Sequence, residues 1–450
     1  MDSFQQTLES TRRSYLKGSP VETRQHLDRA METVHALIAH PSDETLALLA
    51  MAIETDVMLT DFVNARRGID LALVLIQGLP RSSRDDARLQ IQTLQLLTAL
   101  KEGDLSGAAE MWIASFRPSR LEASTPALAC GFARVAVEAL REFGLLDVAL
   151  DVLDWVEQRV IPRCESDGVE SRLGLHQLRV SIALHGLGQP LRSLGPLGWS
   201  EVRAERARGI LDTAIRALPG EIGRATDLGM ASHAMMATLL LEAAQTVGEN
   251  TSQRARRIES TRERLRFQRE SGFLCDVVTV ELELAGLLLA EEKVQQAMEV
   301  LRGARTTIRG SRYRRRAEEW YWHMHRAQQE LGRPLLALIA FKRYAGLADQ
   351  RRQLALRLQV AAQPSLAELL AHSPDDPDLH SLVERLHHVG RTASSVEALA
   401  AGLNLSARRL QQVLKARGLP PPSAYIQSPR AFLPTGPAGV AETNWDRPSR

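Results

Sequence analysis

Near its C-terminus the chain concentrates side chains that could form hydrogen bonds with the edges of nucleic-acid bases. They lie within ten residues and are Ser406, Arg408, Arg409, Gln411, Gln412 and Lys415. An arginine guanidinium can bind O6 and N7 of guanine together, and a glutamine amide can bind N6 and N7 of adenine. On the exposed face of one helix, these side chains would therefore have the chemistry needed to read the major groove.

Two short helices are predicted to position these side chains. The first runs over 396–402 behind Ser395, whose hydroxyl can cap it, and the charge of Glu397 suits the helix dipole near its N-terminus. Asn404 tolerates the left-handed conformation that a tight turn requires, and Ser406 can cap the second helix. The stretch therefore has the outline of a helix-turn-helix.

Apolar residues give both predicted helices a buried face. They are Val396, Leu399 and Ala400 in the first helix and Leu410, Val413 and Leu414 in the second, while Leu403 and Leu405 lie on either side of the turn. This spacing leaves the arginine, glutamine and lysine side chains outward or flanking. By spacing alone, the stretch is equally typical of one more hairpin in a helical repeat with a solvated outer face.

The order of residues in "VEALAAGLNLSARRLQQVLKARG…PSAY" resembles the first helix-turn-helix of the AraC/XylS family of transcription activators. The matching positions are Leu399-Ala400, Leu405-Ser406, Leu410, Gly418, Pro422 and Tyr425. The resemblance implies base contacts at Arg408, Gln411 and Gln412, with Ala407 and Lys415 near the phosphates. The spacing departs slightly, because Gly418 comes one residue early and the proline-rich run is one residue longer.

The family carries a second helix-turn-helix behind a long connecting helix, and this chain departs from that pattern. After Tyr425 it continues as "IQSPRAFLPTGPAGVAETNWDRPSR", whose prolines exclude a connecting helix. We expect residues 428–450 to be a disordered tail. Either the coding sequence lost its ending near Ser428, or the lineage uses one motif. A homodimer would restore two half-sites.

Residues 1–357 are predicted to form pairs of amphipathic helices. A glycine turn is followed five residues later by a small residue, and the aligned small residues are Ala65, Ala108, Ala149, Ser193, Ala255, Ala297 and Ala337. Their steps are 40 to 44 residues, apart from one of 62 that accommodates an insertion. In three units Thr60, Asn250 and Glu292 replace the glycine. This resembles tetratricopeptide repeats in the longer form found in sensor regions of bacterial transcription regulators. The alternative is a non-repeating helical bundle.

The predicted fold class is therefore all-α, with a tetratricopeptide-like α-solenoid followed by a small C-terminal helix-turn-helix. The repeats would occupy residues 1–357 and receive a protein, a peptide or a small ligand. A linker would occupy 358–390, because Pro364, Pro374 and Pro377 push the residue before each out of the helical region. The helix-turn-helix would occupy 391–427.

Composition and motifs restrict the function further. The net charge of +2 means that any affinity for nucleic acid must come from local patches. The three cysteines, Cys130, Cys164 and Cys275, fit neither a disulfide framework nor a zinc pattern, and each is expected to be a small buried residue. No signal peptide or membrane span is visible, which indicates a cytoplasmic address.

Other candidate chemistry is weaker. The basic segment Arg302–Arg316 is expected to be a solvated helix face with Glu318 and Glu319 as partners. The alternatives are that it contacts an acidic partner protein or assists DNA binding through phosphate contacts and base stacking. His323 and His325 lie two apart on a helix and so point in different directions, which disfavours a shared metal ion. No phosphate-binding loop, zinc-protease motif or nucleophile elbow occurs, so we expect neither an enzyme nor a cofactor.

Together these features predict a DNA-binding transcription regulator. The combination of repeats with a C-terminal AraC-type motif resembles the HrpB/HrpX-like activators of type III secretion genes in plant-associated bacteria, which would imply double-stranded promoter DNA as a partner and an activator of virulence genes. The alternative is a protein-interaction scaffold whose terminal hairpin does not bind DNA.

Overall fold

The computed structural model describes residues 9–37, 42–164, 169–186, 201–245, 251–310, 316–370 and 382–426, apart from 12, 16–18, 273, 383–384, 387, 391–392, 417–418 and 420. Within these residues every regular element is a helix and none is a strand. The all-α prediction is therefore confirmed. Some of the residues used in the sequence predictions lie outside the described part of the chain. They are Ser193, Asn250, Pro374, Pro377, Gly418 and residues 428–450.

The helices of the first part of the chain are α1 Pro20–Leu37, α2 Asp43–Met58, α3 Phe62–Gly78, α4 Arg81–Glu102, α5 Leu105–Ser115, α6 Pro118–Ala123, α7 Pro126–Phe143, α8 Leu146–Arg159, α9 Val169–Gly186, α10 Glu201–Asp227, α11 Ala231–Gln245, α12 Thr251–Ser271, α13 Leu274–Ala290, α14 Val294–Gly310 and α15 Ala317–Glu330. The long helix α16 follows at Pro334–Leu370. The short helices α17 Val396–Gly402, α18 Ala407–Ala416 and α19 Pro422–Ile426 complete the described part.

The chain divides into two compact units, the first spanning Met1–Gln353 and the second Leu354–Arg450. In the first unit, most successive helices pack against each other, and further contacts join α2 to α4, α9 to α11 and α13 to α15. The buried residues between the helices are mainly leucine, alanine, isoleucine and valine. Helices α5 and α7 add an aromatic cluster, in which Trp112 stacks on Phe116 and its indole donates to the carbonyl of Ala136 at 3.1 Å.

Left-handed turns end several helices of the first unit. Gly103, Gly144 and Gly332 have φ of 89°, 77° and 67°, as their position at the turns predicts. Thr60 and Glu292, which replace glycine in two other units, adopt φ of 63° and 58°. Thr60 and Glu292 therefore adopt the same left-handed turn as the glycines. For a residue that carries a Cβ, this conformation costs about 1 kcal/mol of folding free energy.

The small residues after these turns are fully buried at Ala65, Ala108, Ala149 and Ala297, and Ala337 is nearly so. The prediction for Ala255 is wrong, because this residue is exposed. Helix α12 instead buries Ile258 and Leu265, so its packing face is rotated relative to the aligned position.

The predicted start of the linker at residue 358 is also wrong, because α16 continues through Pro364 to Leu370. A proline inside a helix removes one backbone hydrogen bond. Here Leu358, Ala362 and Ser365 lie on one face and are buried, which holds the helix on both sides of Pro364.

Cys130 is buried as predicted, but Cys164 is only half-buried, because it follows the turn Ile161–Arg163 at the end of α8. The side chain of Cys275 lies outside the described residues. In the described part of the chain, no helix has the length and apolar character needed to cross a membrane.

Candidate nucleic-acid interface

Helix α17 begins with a complete cap. The Ser395 hydroxyl accepts a hydrogen bond from the amide of Ala398 at 3.2 Å, as predicted. The carboxylate of Glu397 accepts from its own backbone amide and from the Ser395 hydroxyl, and these bonds lower the pKa of Glu397. Glu397 is therefore ionised at neutral pH, where its charge favours the first turn of the helix.

The turn between α17 and α18 is fixed by backbone geometry. Asn404 has φ of 58°, the left-handed conformation predicted for it. Its amide donates to the carbonyl of Ala401 at 2.9 Å, and the amide of Leu405 donates to the carbonyl of Ala400 at 2.9 Å. This pair of bonds is the Schellman arrangement, which satisfies carbonyls that the end of α17 would otherwise leave without a donor.

Helix α18 begins at a second serine cap. The Ser406 hydroxyl accepts from the amide of Arg409 at 3.2 Å, and the Ser406 carbonyl accepts from the amide of Leu410 at 2.9 Å. Ser406 is thereby held by the backbone of the helix, although it is itself exposed. The two capped helices and the turn form a short, well-defined unit, which we call the C-terminal helix pair (residues 395–416).

The predicted site residues lie on the exposed side of this pair. Arg408, Arg409, Gln411, Gln412 and Lys415 are all exposed, and Ala407 is half-buried. The opposite side of α18 is buried at Leu410 and Leu414 and half-buried at Val413. Helix α18 therefore presents three cations, two carboxamides and no acidic residue to the solvent.

A small apolar core supports this surface from below. It contains Leu386, Leu399, Ala400, Leu403, Leu410, Leu414 and Tyr425, with Val360, Leu382 and Val389 packed against it. Burial raises the pKa of Tyr425 far above its ordinary value, so this side chain stays neutral. Arg385 donates to the carbonyl of Leu403 at 3.3 Å, which ties the preceding segment to the turn.

Two glycines allow this core to pack closely. A Cβ on Gly402 would lie 2.4 Å from Cγ1 of Val389, and a Cβ on Gly390 would lie 2.6 Å from the carbonyl oxygen of Tyr425. The sequence prediction places residues 382–390 in the linker and so misses these supporting positions. Leu382, Leu386 and Val389 nevertheless have a helical spacing of four and then three residues, which could have indicated a buried helix face here.

The basic segment before α15 divides into different environments. Arg302 and Arg305 are exposed, and the Arg305 guanidinium lies 5.9 Å from the centre of the Trp320 ring. Arg316 is instead buried, so the prediction of a solvated face is wrong for this residue. Its predicted partner Glu319 is 3.8 Å away, whereas Glu318 binds Arg351 at 2.9 Å. Residues 311–315 lie outside the described part.

The two histidines of α15 have separate surroundings. Burial, with the nearby charge of Arg326, lowers the pKa of His323 to about 3, so the imidazole is neutral at physiological pH. The Nδ1 atom of His325 donates to the carbonyl of Ala337 at 3.0 Å, and its ring contacts Phe341. Both histidines are therefore part of the packed structure of the first unit.

No protein-family model, curated protein or solved structure matches this chain.

Proposed function

We propose that the chain is a DNA-binding transcription regulator whose C-terminal helix pair is a helix-turn-helix of the AraC type. The observation that carries the proposal is the surface of α18, which exposes Arg408, Gln411 and Gln412 side by side while its other face is buried. The Schellman turn and the two serine caps support it, because a recognition helix must keep a fixed orientation to place side chains against base edges.

The first unit would then be the regulatory region. The recurrence of left-handed turns followed by buried small residues supports a tetratricopeptide-like solenoid, which presents an extended surface to a ligand or partner. In this proposal α18 enters the major groove of promoter DNA in the cytoplasm of a bacterium. Arg408, Gln411 and Gln412 would contact bases, while Arg409, Ser406 and Lys415 would contact the flanking backbone. A homodimer would supply a second half-site, and genes of type III secretion would be the targets.

Fluorescence anisotropy tests this proposal with the full chain. Promoter DNA from upstream of type III secretion genes is compared with a scrambled duplex across a salt series, because phosphate contacts weaken as salt rises. We expect tighter binding to the promoter, and we expect Arg408→Ala to weaken that binding by about tenfold or more. Arg88→Ala is the matched control, since Arg88 is an exposed arginine of α4 in the first unit. Equal, weak binding to both duplexes would refute the proposal.

A protein-interaction scaffold is the second candidate function. It is favoured by an exposed apolar row at the start of α16, formed by Leu335, Leu336, Leu338, Ile339 and Phe341. The most exposed of them is Leu335 at 76%. Contiguous apolar surface of this kind is typical of protein-binding sites. A scaffold would retain its partner when Arg408, Gln411 and Gln412 are replaced by alanine together, whereas a regulator would lose promoter binding.

A further inference from the structure

Two cysteines that are distant in the sequence are in contact in the first unit. Cys130 lies in α7, and Cys164 follows the turn that ends α8, 34 residues later. Their Sγ atoms are 3.6 Å apart. The spacing of the cysteines predicts neither a disulfide framework nor a zinc site, so this contact arises from tertiary packing alone.

The backbone around Cys164 fixes the position of its thiol. The Cys164 amide donates a hydrogen bond to the carbonyl of Ile161 at 3.0 Å, and the thiol donates to the carbonyl of Val160 at 3.7 Å. Val160 is fully buried, so this end of α8 is anchored in the core. The thiol of Cys164 therefore has a defined place at the edge of the core.

A further hydrogen bond joins this turn to the helix that carries Cys130. The guanidinium of Arg163 donates to the carbonyl of Ser124 at 3.0 Å, and the next residue, Thr125, is the N-cap of α7. The start of α7 and the end of α8 are thus held together by a contact that does not involve sulfur. Two groups held in this way react as an intramolecular pair, at an effective concentration far above that of separate molecules.

The separation of the two sulfur atoms is close to what a disulfide requires. The S–S bond is about 2.05 Å long, so the atoms must approach by about 1.5 Å. Cys130 is fixed within a helix, whereas Cys164 lies behind a helical turn of three residues. The approach can therefore come from the Cys164 side chain, which gives up only a weak hydrogen bond to the carbonyl of Val160.

Solvent reaches the two thiols unequally. Cys130 is only 2% exposed, and its neighbours Ala129 and Ala133 are fully buried. Cys164 is half-buried. A small oxidant dissolved in water therefore meets Cys164 first. An accessible cysteine beside a second, resolving cysteine is the arrangement that converts oxidation at sulfur into a disulfide.

We propose that Cys130 and Cys164 are a site of reversible oxidation, at which a hydroperoxide converts the two thiols into a disulfide. Cys164 gives up its proton, and its sulfur attacks one oxygen of hydrogen peroxide. The S–O bond forms as the O–O bond breaks, which yields a sulfenic acid, and the released hydroxide combines with the thiol proton as water.

The second step closes the disulfide. The Cys130 sulfur attacks the Sγ atom of the sulfenic acid, and the S–S bond forms as the S–O bond breaks. The departing hydroxide combines with the Cys130 proton as water. In sum, two thiols lose two electrons and one peroxide is reduced to two waters. Dithiothreitol reverses the oxidation by thiol–disulfide exchange and is itself converted to its cyclic disulfide.

Counting thiols in the full chain tests the proposal. The folded chain is treated with a small molar excess of hydrogen peroxide, denatured and labelled with a maleimide. The chain has three cysteines, so we expect three labels before treatment, one after it, and three again after dithiothreitol. Tryptic digestion should then yield a cross-link between peptides 121–134 and 164–172, with the remaining label on Cys275.

Variants separate the roles of the two thiols. In Cys130→Ala the resolving thiol is missing, so Cys164 should stay as a sulfenic acid that dimedone traps. In Cys164→Ser the buried Cys130 should keep its thiol, so both remaining cysteines should be labelled after treatment. Cys275→Ser is the matched control and should lose two labels as the unchanged chain does. Circular dichroism checks that each variant is folded, and Cys164→Ser, at a half-buried position, keeps the test decisive if Cys130→Ala is not.

Three results would overturn the proposal. They are retention of all three labels in the treated chain, a disulfide that joins two chains or involves Cys275, and stable addition of oxygen at Cys164 while Cys130 is present. The proposal stands apart from the proposed function, because oxidation requires no DNA. Arg408→Ala should form the disulfide as the unchanged chain does even if DNA binding is lost, so the two tests fail separately.

Discussion

The two units of this protein differ in where their charged side chains lie. The first unit buries Arg257, Arg264 and Arg316 together with the carboxylates that pair with them. The second exposes the cations of α18 and buries apolar residues and Tyr425 below them. A buried cation already has its partner, whereas an exposed one is available to a molecule outside. The exposed cations of α18 therefore support the proposal that this helix binds DNA, whereas the buried cations of the first unit hold its own helices together.

Breaking the buried pair should have the largest effect. Arg316→Met leaves the carboxylate of Glu142 buried with one guanidinium fewer, and we expect the free energy of unfolding of the first unit to fall by about 3 kcal/mol. The double variant Arg316→Met with Glu142→Leu should regain much of that loss. Denaturation in urea, followed by tryptophan fluorescence, measures both. A double variant no more stable than the single one would contradict this account of the interior.

The stability of the second unit should instead depend most on the side-chain volume in its small core. Gly390→Ala places a Cβ against the backbone of Tyr425, which cannot easily move, and should destabilise the second unit by about 2 kcal/mol. Hydrogen exchange of the α18 amides should then accelerate by roughly thirtyfold. Gly346→Ala is the control, because a Cβ there meets nothing within 4 Å and should slow exchange locally. Unchanged exchange in α18 after Gly390→Ala would disprove the close contact.

Acid should weaken the first unit through His323. Its folded pKa of about 3 lies below the ordinary value of 6.5, so the unfolded chain binds a proton at a higher pH than the folded chain does. The contribution of neutral His323 is therefore complete above pH 6.5 and is lost as the pH falls toward 3. Glu319 at 4.0 Å and Arg326 are the charged groups that bear on it.

The free energy of unfolding should fall between pH 7 and pH 5 in the unchanged chain. In His323→Leu this decrease should be smaller by about 2 kcal/mol. Urea denaturation at both pH values measures the difference. His388→Leu is a matched control in the second unit, where this histidine is exposed. An equal loss of stability in His323→Leu and the unchanged chain would show that His323 is not the acid-sensitive group.

The smallest effects should come from the left-handed turns. Thr60→Gly in the first unit should raise stability by about 1 kcal/mol, because a β-branched residue is strained at positive φ. Asn404→Gly in the second unit should change stability by only a few tenths of a kcal/mol, since asparagine tolerates that conformation. Thermal melts of the two variants, side by side, test whether the strain is confined to the first unit.

The C-terminal helix pair was predictable because its determinants are local. Ser395, Asn404 and Ser406 each act on backbone groups within three residues, so their roles follow from short-range rules. The burial of Arg316 was not predictable in this way, because its partner Glu142 is 174 residues away and nothing in the surrounding basic segment distinguishes it. The exposure of Ala255 and the continuation of α16 through Pro364 were missed for a related reason, since tertiary packing decided both against the local pattern.

The pairing of Arg316 with Glu142 also has a consequence for how the protein is made. Glu142 leaves the ribosome 174 residues before its partner, and translation at ordinary rates takes roughly ten to thirty seconds to cover that distance. During that interval α7 can pack against α8, and the neighbouring Arg141 can bind the Glu142 carboxylate, but the second guanidinium that binds it arrives only with α15. The contact between α7 and Arg316 can therefore form only after the start of α15 has emerged.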